Sequence, residues 1–176
     1  QDGKGASFYP VTGKPDKNSN MIILQPGDKA PAFSGKDQNG ETIKLANFKG
    51  KKLVLYFYPQ DMTPTCTMQA CNLRDNYALL KKHGLEVLGI SPDAPESHKK
   101  FETRHQLPFT LVADPEKKII DLYGVWGEKQ LYGRKYLGLH RTTFLIDEKG
   151  KILKIFAKPK SKQHAEEIIA ALGLLK

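Results

Sequence analysis

The stretch YFYPQDMTPTCTMQACNLRD, residues 56–75, contains both cysteines of the chain, Cys66 and Cys71. It opens within a short apolar run, residues 53–58, that predicts a buried strand, and it continues in a pattern typical of a helix. Cys66 therefore falls in the first turn of a helix that follows a strand. Unpaired backbone N–H groups and the helix dipole favour an anion there, so the sequence predicts a reactive thiol that is biased toward the thiolate.

The spacing of apolar residues supports this helix. Ala70, Leu73, Tyr77 and Leu80 recur at steps of three and four, and Cys66 extends the same stripe, so its side chain is expected to face the core. Cys71 lies off the stripe. Five residues of ideal helix separate two Cα atoms by about 8.7 Å, and a disulfide needs them within about 7 Å. A disulfide between the two cysteines therefore requires at least one turn to unwind.

Bulk composition excludes several function classes. The chain has 176 residues, of which 39% are hydrophobic, which suits one domain with a core. The net charge of +9 comes from lysines scattered singly or in pairs, with no arginine-rich stripe, so nucleic-acid binding is not expected. No apolar run approaches the roughly 18 residues that cross a bilayer, and no membrane association is expected. The five histidines show no metal-ligand spacing, so neither a metal nor another cofactor is predicted.

The N-terminal segment differs from the rest of the chain. Residues 1–20 are rich in Gly, Lys, Pro, Ser and Asn and show no periodicity. The first methionine is Met21, and MIILQPGDKAPAF reads like a natural start. We expect residues 1–20 to be a disordered remnant of a leader or of cloning, and residues 21–176 to form the folded domain.

Predicted strands and helices alternate along this domain. Strands are predicted at residues 42–45, 53–58, 86–91, 109–113, 142–146 and 151–156, the last two forming a hairpin around residues 147–150. Helices are predicted at residues 63–82, 96–105, 115–123 and 163–175, and a long loop at residues 124–140. This order predicts an α/β fold in which helices flank a central mixed β-sheet.

Four strings in a fixed order carry a family resemblance. They are GDKAPAF (residues 27–33), the cysteine stretch quoted above, YGVWGEK (residues 123–129) and GLHRTTFLID (residues 138–147). From about Met21 to the C-terminus the chain resembles the peroxiredoxins, most closely the bacterioferritin-comigratory (Q-type) subfamily. One departure is Thr65, where glycine is common. We expect the threonine to be tolerated, although it could stiffen the turn before the nucleophile.

The resemblance implies a thioredoxin-like fold and the thiol-dependent reduction of hydrogen peroxide and organic hydroperoxides. By matching positions, Cys66 is the peroxidatic cysteine and Cys71 the resolving one, and Pro59, Thr63 and Arg141 complete the pocket. The expected product is a Cys66 sulfenic acid, which Cys71 converts to an intramolecular disulfide that thioredoxin or a similar dithiol reduces. The expected setting is the cytoplasm, and the expected state is a monomer or at most a weak dimer.

The chemistry explains why these residue types are needed. A free thiol with a pKa near 8.5 is about 3% ionised at pH 7, so full ionisation contributes at most roughly thirtyfold, or about 2 kcal/mol. Larger acceleration requires donors that polarise the O–O bond. Arg141 can stabilise the thiolate and bind the peroxide oxygens, Thr63 can place its hydroxyl beside the sulfur, and Pro59 can shield the pocket.

Two other functions remain open from the sequence. A thiol–disulfide oxidoreductase on the same fold usually carries C-x-x-C, whereas this chain has C-x-x-x-x-C. A redox sensor or interaction module could use the Cys66–Cys71 pair as a switch that reshapes the helix. Tyr56 and Tyr58 are expected to serve strand packing, and Asp61 is assigned no chemistry.

Overall fold

The computed structural model describes residues 23–174. The predicted disordered segment 1–20 and the predicted helix end at residue 175 lie outside this range. The strands are β1 Ser34–Asp37, β2 Thr42–Lys44, β3 Lys52–Phe57, β4 Leu85–Ser91, β5 Thr110–Ala113, β6 Trp126–Leu131, β7 Arg134–Leu139, β8 Thr142–Ile146 and β9 Ile152–Phe156. The helices are α1 Pro64–Asp75, α2 Tyr77–Lys82, α3 Pro95–His105, α4 Lys118–Leu122 and α5 His164–Leu174, with a short 3-10 helix at Leu45–Phe48.

One mixed sheet organises the described residues, in the order β2-β1-β5-β4-β3-β8-β9. The neighbours β3, β4 and β5 run parallel, and the remaining pairs in this sheet are antiparallel. This confirms the predicted α/β class with a mixed sheet. None of the helices described in residues 23–174 is long and apolar enough to cross a bilayer.

The central strand β3 explains why its sequence is continuously apolar. Val54 and Tyr56 belong to one core cluster, which α1, α2, α3 and α5 cover. Leu55 and Phe57 belong to a second cluster on the opposite face, which α4 covers. Because successive side chains of a strand point to opposite faces, a strand covered on both faces has no polar positions.

The prediction of a single helix at residues 63–82 is wrong, because this segment forms two helices, α1 and α2. Asn76 has φ −110° and ψ 13°, outside the helical range, and separates α1 from α2. Its Nδ2 donates to the carbonyl oxygen of Asn72 at 2.9 Å, which satisfies a backbone acceptor at the end of α1.

The long loop predicted at residues 124–140 is also wrong, because most of it is the hairpin formed by β6 and β7. Among the described residues, 23–174, these strands pair only with each other, with Gly127 opposite Gly138. Tyr132 and Gly133 both have positive φ, 51° and 79°, as a two-residue hairpin turn requires.

Two smaller differences concern weak sequence signals. Strand β1, with the sequence SGKD, was not predicted, since it contains none of the β-branched or aromatic residues that mark strands. The helix predicted from residue 115 begins only at Lys118, because Lys117 adopts a left-handed conformation with φ 60°.

Candidate active site

The structure places Cys66 where the sequence predicted. Thr63 is extended at the N-terminal boundary of α1, Pro64 is the first helical residue, and Cys66 lies in the first turn. The thiol is 1% exposed and belongs to the core cluster that includes Ala70 and Leu73, which confirms that the apolar stripe faces inward. A helix N-terminus carries positive partial charge, so this position favours negative charge on the sulfur.

Arg141 contacts the thiol directly. Its Nη2 donates to Cys66 Sγ at 3.2 Å, and its Nη1 donates to Gln69 Oε1 at 2.6 Å. The antiparallel register of β3 and β8 pairs Phe57 with Thr142, which brings Arg141 to the end of β3 where α1 begins. The guanidinium therefore spans two groups one turn apart on α1 and places a positive charge beside the sulfur.

Gln69 is a site residue that the sequence reasoning missed. It is completely buried, three positions after Cys66, and its carboxamide oxygen orients the guanidinium. The spacing places Gln69 beside Cys66 on the helix, since residues at i and i+3 are neighbours, but the sequence does not indicate its contact with Arg141.

Two buried polar atoms of the described residues have no hydrogen-bond partner, Gln69 Nε2 and the Tyr56 hydroxyl. Burial, followed by the negative charge at Cys66, raises the pKa of Tyr56 well above its usual value, so the phenol remains an O–H donor. Its ring stacks on Tyr58 at 5.3 Å, which confirms the expected packing role. A Cβ at Gly89 would lie 2.9 Å from this ring, so only glycine leaves room for it.

Lys129 is a second cation near the thiol that the sequence reasoning did not identify. Its Nζ donates to the carbonyl oxygen of Leu139 at 2.9 Å. Burial and then the charge of Arg141 lower the pKa of Lys129, while negative charge at Cys66 opposes this shift. The hairpin that was predicted as a loop therefore brings a lysine into the electrostatic field of the site.

Thr63 and Pro59 lie in the segment between β3 and α1, and both are half-buried. The Thr63 hydroxyl donates to the carbonyl oxygen of Gln60 at 2.9 Å, so its proton is directed at the loop backbone. The role predicted for this hydroxyl, beside the sulfur, stays a prediction.

Cys71 is half-buried on α1, and both cysteines are free. Its Sγ lies 3.9 Å from Nδ1 of His105, at the end of α3. Burial, then the charges of Arg104 and Arg74, lower the pKa of His105. Because α1 is continuous from Pro64 to Asp75, the helix is intact between the two thiols.

One group of three potential metal ligands occurs among residues 23–174. The ligand atoms of Asp61, Asp93 and His98 lie within 4.8 Å of one another. Both carboxylates already accept hydrogen bonds from protein groups, including Tyr58 Oη on Asp61 and Ser91 Oγ on Asp93, both at 2.6 Å. The cluster is a closed hydrogen-bond network, and the sequence spacing gave no sign of it.

The chain is similar to known proteins over most of its length. Residues 26–155 match the model of the AhpC/TSA family. The chain is 44% identical over 151 residues to "Peroxiredoxin Bcp" of Bacillus subtilis, covering 86% of this chain and 96% of that protein. It is 47% identical over 149 residues to "Peroxiredoxin Bcp" of Escherichia coli, covering 85% and 96%.

Solved structures extend the similarity to the fold. A cysteine-to-serine variant of peroxiredoxin Q from Xanthomonas campestris superposes with a TM-score of 0.78 at 30% identity, covering 90% of this chain and all (100%) of that chain. A cysteine-to-serine variant of PrxQ from Xylella fastidiosa gives a TM-score of 0.81 at 27% identity, covering 87% of this chain and 98% of that chain. These neighbours confirm the expected thioredoxin-like fold. The chain therefore belongs to the AhpC/TSA family and is a peroxiredoxin, a thiol-dependent peroxidase.

Proposed function

We propose that Cys66 is the peroxidatic nucleophile of this enzyme. The observation that carries the proposal is the contact of Arg141 Nη2 with Cys66 Sγ at 3.2 Å, in a thiol that is 1% exposed at a helix start. The thiolate attacks one oxygen of the hydroperoxide, the O–O bond breaks, and the other oxygen leaves as an alkoxide or hydroxide that takes up a proton. The sulfur is oxidised to the sulfenic acid and the peroxide is reduced to an alcohol or water.

The residues around Cys66 bind the peroxide and stabilise the negative charge that develops during its reduction. Arg141 stabilises the thiolate and the negative charge that develops on the leaving oxygen, and Gln69 keeps its fork aligned. Pro59 shields the pocket, and the Thr63 oxygen accepts a hydrogen bond from the peroxide, since its own proton is directed at Gln60. Each of these roles acts on the first step only.

Cys71 resolves the sulfenic acid in the second step. Its thiolate attacks the Cys66 sulfur, the S–S bond forms, and the S–O bond breaks to release water after proton uptake. This step requires α1 to unwind, because about 8.7 Å separates the two Cα atoms in an intact helix. An external dithiol of the thioredoxin type then reduces the disulfide by exchange.

The same residues support a proposal for the oligomeric state, the compartment and the extent of the catalytic domain. One chain supplies both thiols and Arg141, so catalysis needs no partner subunit, which supports a monomer or at most a weak dimer. A cycle that depends on a reduced dithiol requires a reducing compartment, which supports the cytoplasm. Residues 21–176 are proposed as the catalytic domain, because the matched family region, residues 26–155, falls within it.

Peroxide consumption by three proteins tests the proposal. The wild type with a thioredoxin-type dithiol is expected to turn over repeatedly, Cys66→Ser not to react, and Cys71→Ser to react once and stop at a sulfenic acid that mass spectrometry detects. Rapid consumption by Cys66→Ser would contradict the assignment. A single reaction of the wild type without turnover would favour the redox-switch function instead.

A further inference from the structure

The loop between β3 and α1 contains a buried carboxylate that several groups hold. The side chain of Asp61 is 1% exposed. Its Oδ1 accepts a hydrogen bond from the Tyr58 hydroxyl at 2.6 Å, and its Oδ2 accepts one from Ser97 Oγ at 2.7 Å. The same Oδ2 lies 2.8 Å from His98 Nδ1. Since Ser97 and His98 belong to α3, these contacts fasten the loop to a neighbouring helix.

This anchor continues into the sheet and also fixes the backbone of the loop. His98 is fully buried, and its Nε2 lies 3.1 Å from the carbonyl oxygen of Val112 on β5. The backbone N–H of Asp61 donates to Asp93 Oδ2 at 2.7 Å, and Ser91 Oγ donates to the same oxygen at 2.6 Å. Both the side chain and the main chain of Asp61 are thus constrained.

The next residue, Met62, has a backbone conformation that L-residues avoid. Its φ is +67°, in the left-handed region that favours glycine. The residue is 43% exposed, so burial does little to hold its conformation. A strained residue persists only where its surroundings over-determine it, and the constraint that precedes it in the chain is Asp61. Thr63 and the first turn of α1 follow directly.

We propose that Asp61, held by Ser97 and His98, is a positioning residue for the reaction with peroxide. It keeps Met62 left-handed and thereby sets the direction in which Thr63 and the first turn of α1 approach the pocket. Asp61 touches neither the sulfur nor the peroxide and acts through the backbone. The inference rests on the proposed function of Cys66 as the nucleophile.

The test measures the second-order rate of Cys66 oxidation by hydrogen peroxide. In Asp61→Asn the amide has one acceptor oxygen where the carboxylate has two, so one side of the network loses its acceptor. The rate is expected to fall about tenfold or more, as misplacement of reacting groups does. Adding Met62→Gly, which adopts φ +67° without strain, is expected to restore the rate to within about threefold of the wild type. A purely structural role of Asp61 predicts no such rescue.

A matched control relieves backbone strain elsewhere. Tyr132 also has a positive φ, 51°, and is 96% exposed at the tip of the β6–β7 hairpin. Tyr132→Gly should therefore leave the slow rate of Asp61→Asn unchanged. Tyr58→Phe removes the hydroxyl that donates to Asp61 Oδ1 but keeps the carboxylate, so it serves as a milder second variant, with a smaller loss that Met62→Gly also corrects.

Two results would overturn the proposal. One is a wild-type rate in both Asp61→Asn and Tyr58→Phe, and the other is a loss that Met62→Gly fails to correct. A wild type whose Cys66 does not react would overturn the proposed function together with this inference. A reactive wild type beside unaffected Asp61 and Tyr58 variants would overturn this inference alone.

Discussion

Cys66 and Cys71 share one helix, but different kinds of contact hold them. Cys66 is packed into the core at 1% exposure and bound by the Arg141 guanidinium. Cys71 is half-buried in the second half of α1, residues 71–75, where Leu73 packs into the core and polar side chains make the remaining contacts at the surface. Core packing fixes a reacting atom in place, whereas a surface hydrogen bond is readily exchanged for one to water. Helix α1 thus combines a rigid site for the reaction of Cys66 with peroxide and a releasable segment, residues 71–75, for the formation of the disulfide.

Asn72 makes most of the hydrogen bonds that hold the releasable segment to its neighbours. Its Oδ1 accepts from the backbone N–H of Ala165 at 2.7 Å, and its Nδ2 donates to the carbonyl oxygen of Lys162 and to Glu166, both at 3.0 Å. Arg74 adds a bond to the carbonyl oxygen of His105 at 2.8 Å. These bonds join the end of α1 to α5 and α3, and all of them must break or shift if the segment unwinds.

The largest effect is expected on the rate of Cys66 oxidation, at the rigid site that Arg141 contacts. Arg141→Ala removes the donor to Cys66 Sγ, and the rate of sulfenic acid formation should fall about 10²- to 10³-fold, the usual loss for a preorganised donor. The rate of Arg141→Lys should lie between those of Arg141→Ala and the wild type, because lysine keeps the positive charge but lacks the planar guanidinium with its paired donors. Stopped-flow measurements with hydrogen peroxide give these rates. Arg134→Ala, an exposed arginine on β7, is the control, and an unaltered rate in Arg141→Ala would remove Arg141 from the site.

A smaller effect is expected on the releasable side. Asn72→Ala removes three hydrogen bonds and should lower the free energy of unfolding of the reduced protein by about 1 kcal/mol or more, since one typical hydrogen bond contributes about 1 kcal/mol net. If those bonds are already broken when the disulfide forms, the resolving step should become about fivefold faster. Urea unfolding and quenched mass spectrometry measure the two quantities. Asn39→Ala, which also removes a surface amide, should leave the resolving rate alone, and a slower resolving step in Asn72→Ala would contradict the comparison.

The smallest effect concerns the helix to which Asn72 is tied. His164 at the start of α5 is buried between Thr143 and Glu167, with contacts of 2.8 Å and 2.6 Å. Burial lowers the pKa of His164, although Glu167 opposes this shift. Below pH 6.5 the unfolded chain therefore binds a proton that the folded chain binds only at lower pH, and the free energy of unfolding falls as the pH drops through this window.

Urea unfolding of the wild type and His164→Gln at pH 7.5 and at pH 5.5 checks this sign. The wild type should lose more stability on acidification than the variant. The remaining loss in the variant is expected from His105 and His140, whose pKa values burial also lowers. Equal losses in the two proteins would show that His164 is not a source of the pH dependence.

The sequence predicted what local pattern encodes. The position of Cys66 follows from a strand, a proline-containing loop and an apolar stripe that are continuous in the chain. The sequence did not predict the break at Asn76, because the apolar stripe continues through Tyr77 and Leu80 into α2. Periodicity alone does not reveal such a break. The sequence did not predict the β6–β7 hairpin, because in the part of the chain that the structure describes its strands pair only with each other and leave exposed residues at the tip.

Contacts between distant segments account for the rest. Gln69 acquires its role from Arg141, 72 positions away in the chain, and Lys129 enters the field of the thiol only because the hairpin folds back. Asp61 and His98 are 37 positions apart, and nothing in the sequence indicates that their side chains meet. The identity of a buried polar partner depends on tertiary packing, which no local spacing specifies.

Amide hydrogen exchange on the reduced and disulfide forms tests most directly whether the resolving step opens α1. Peptides covering α1, Pro64–Asp75, should exchange slowly in the reduced enzyme and much faster in the Cys66–Cys71 disulfide form. The strands β3 and β8 should remain protected in both forms, and Cys71→Ser exposed to the same peroxide should keep the slow exchange of α1. A disulfide that forms with no change in the protection of α1 would contradict the account.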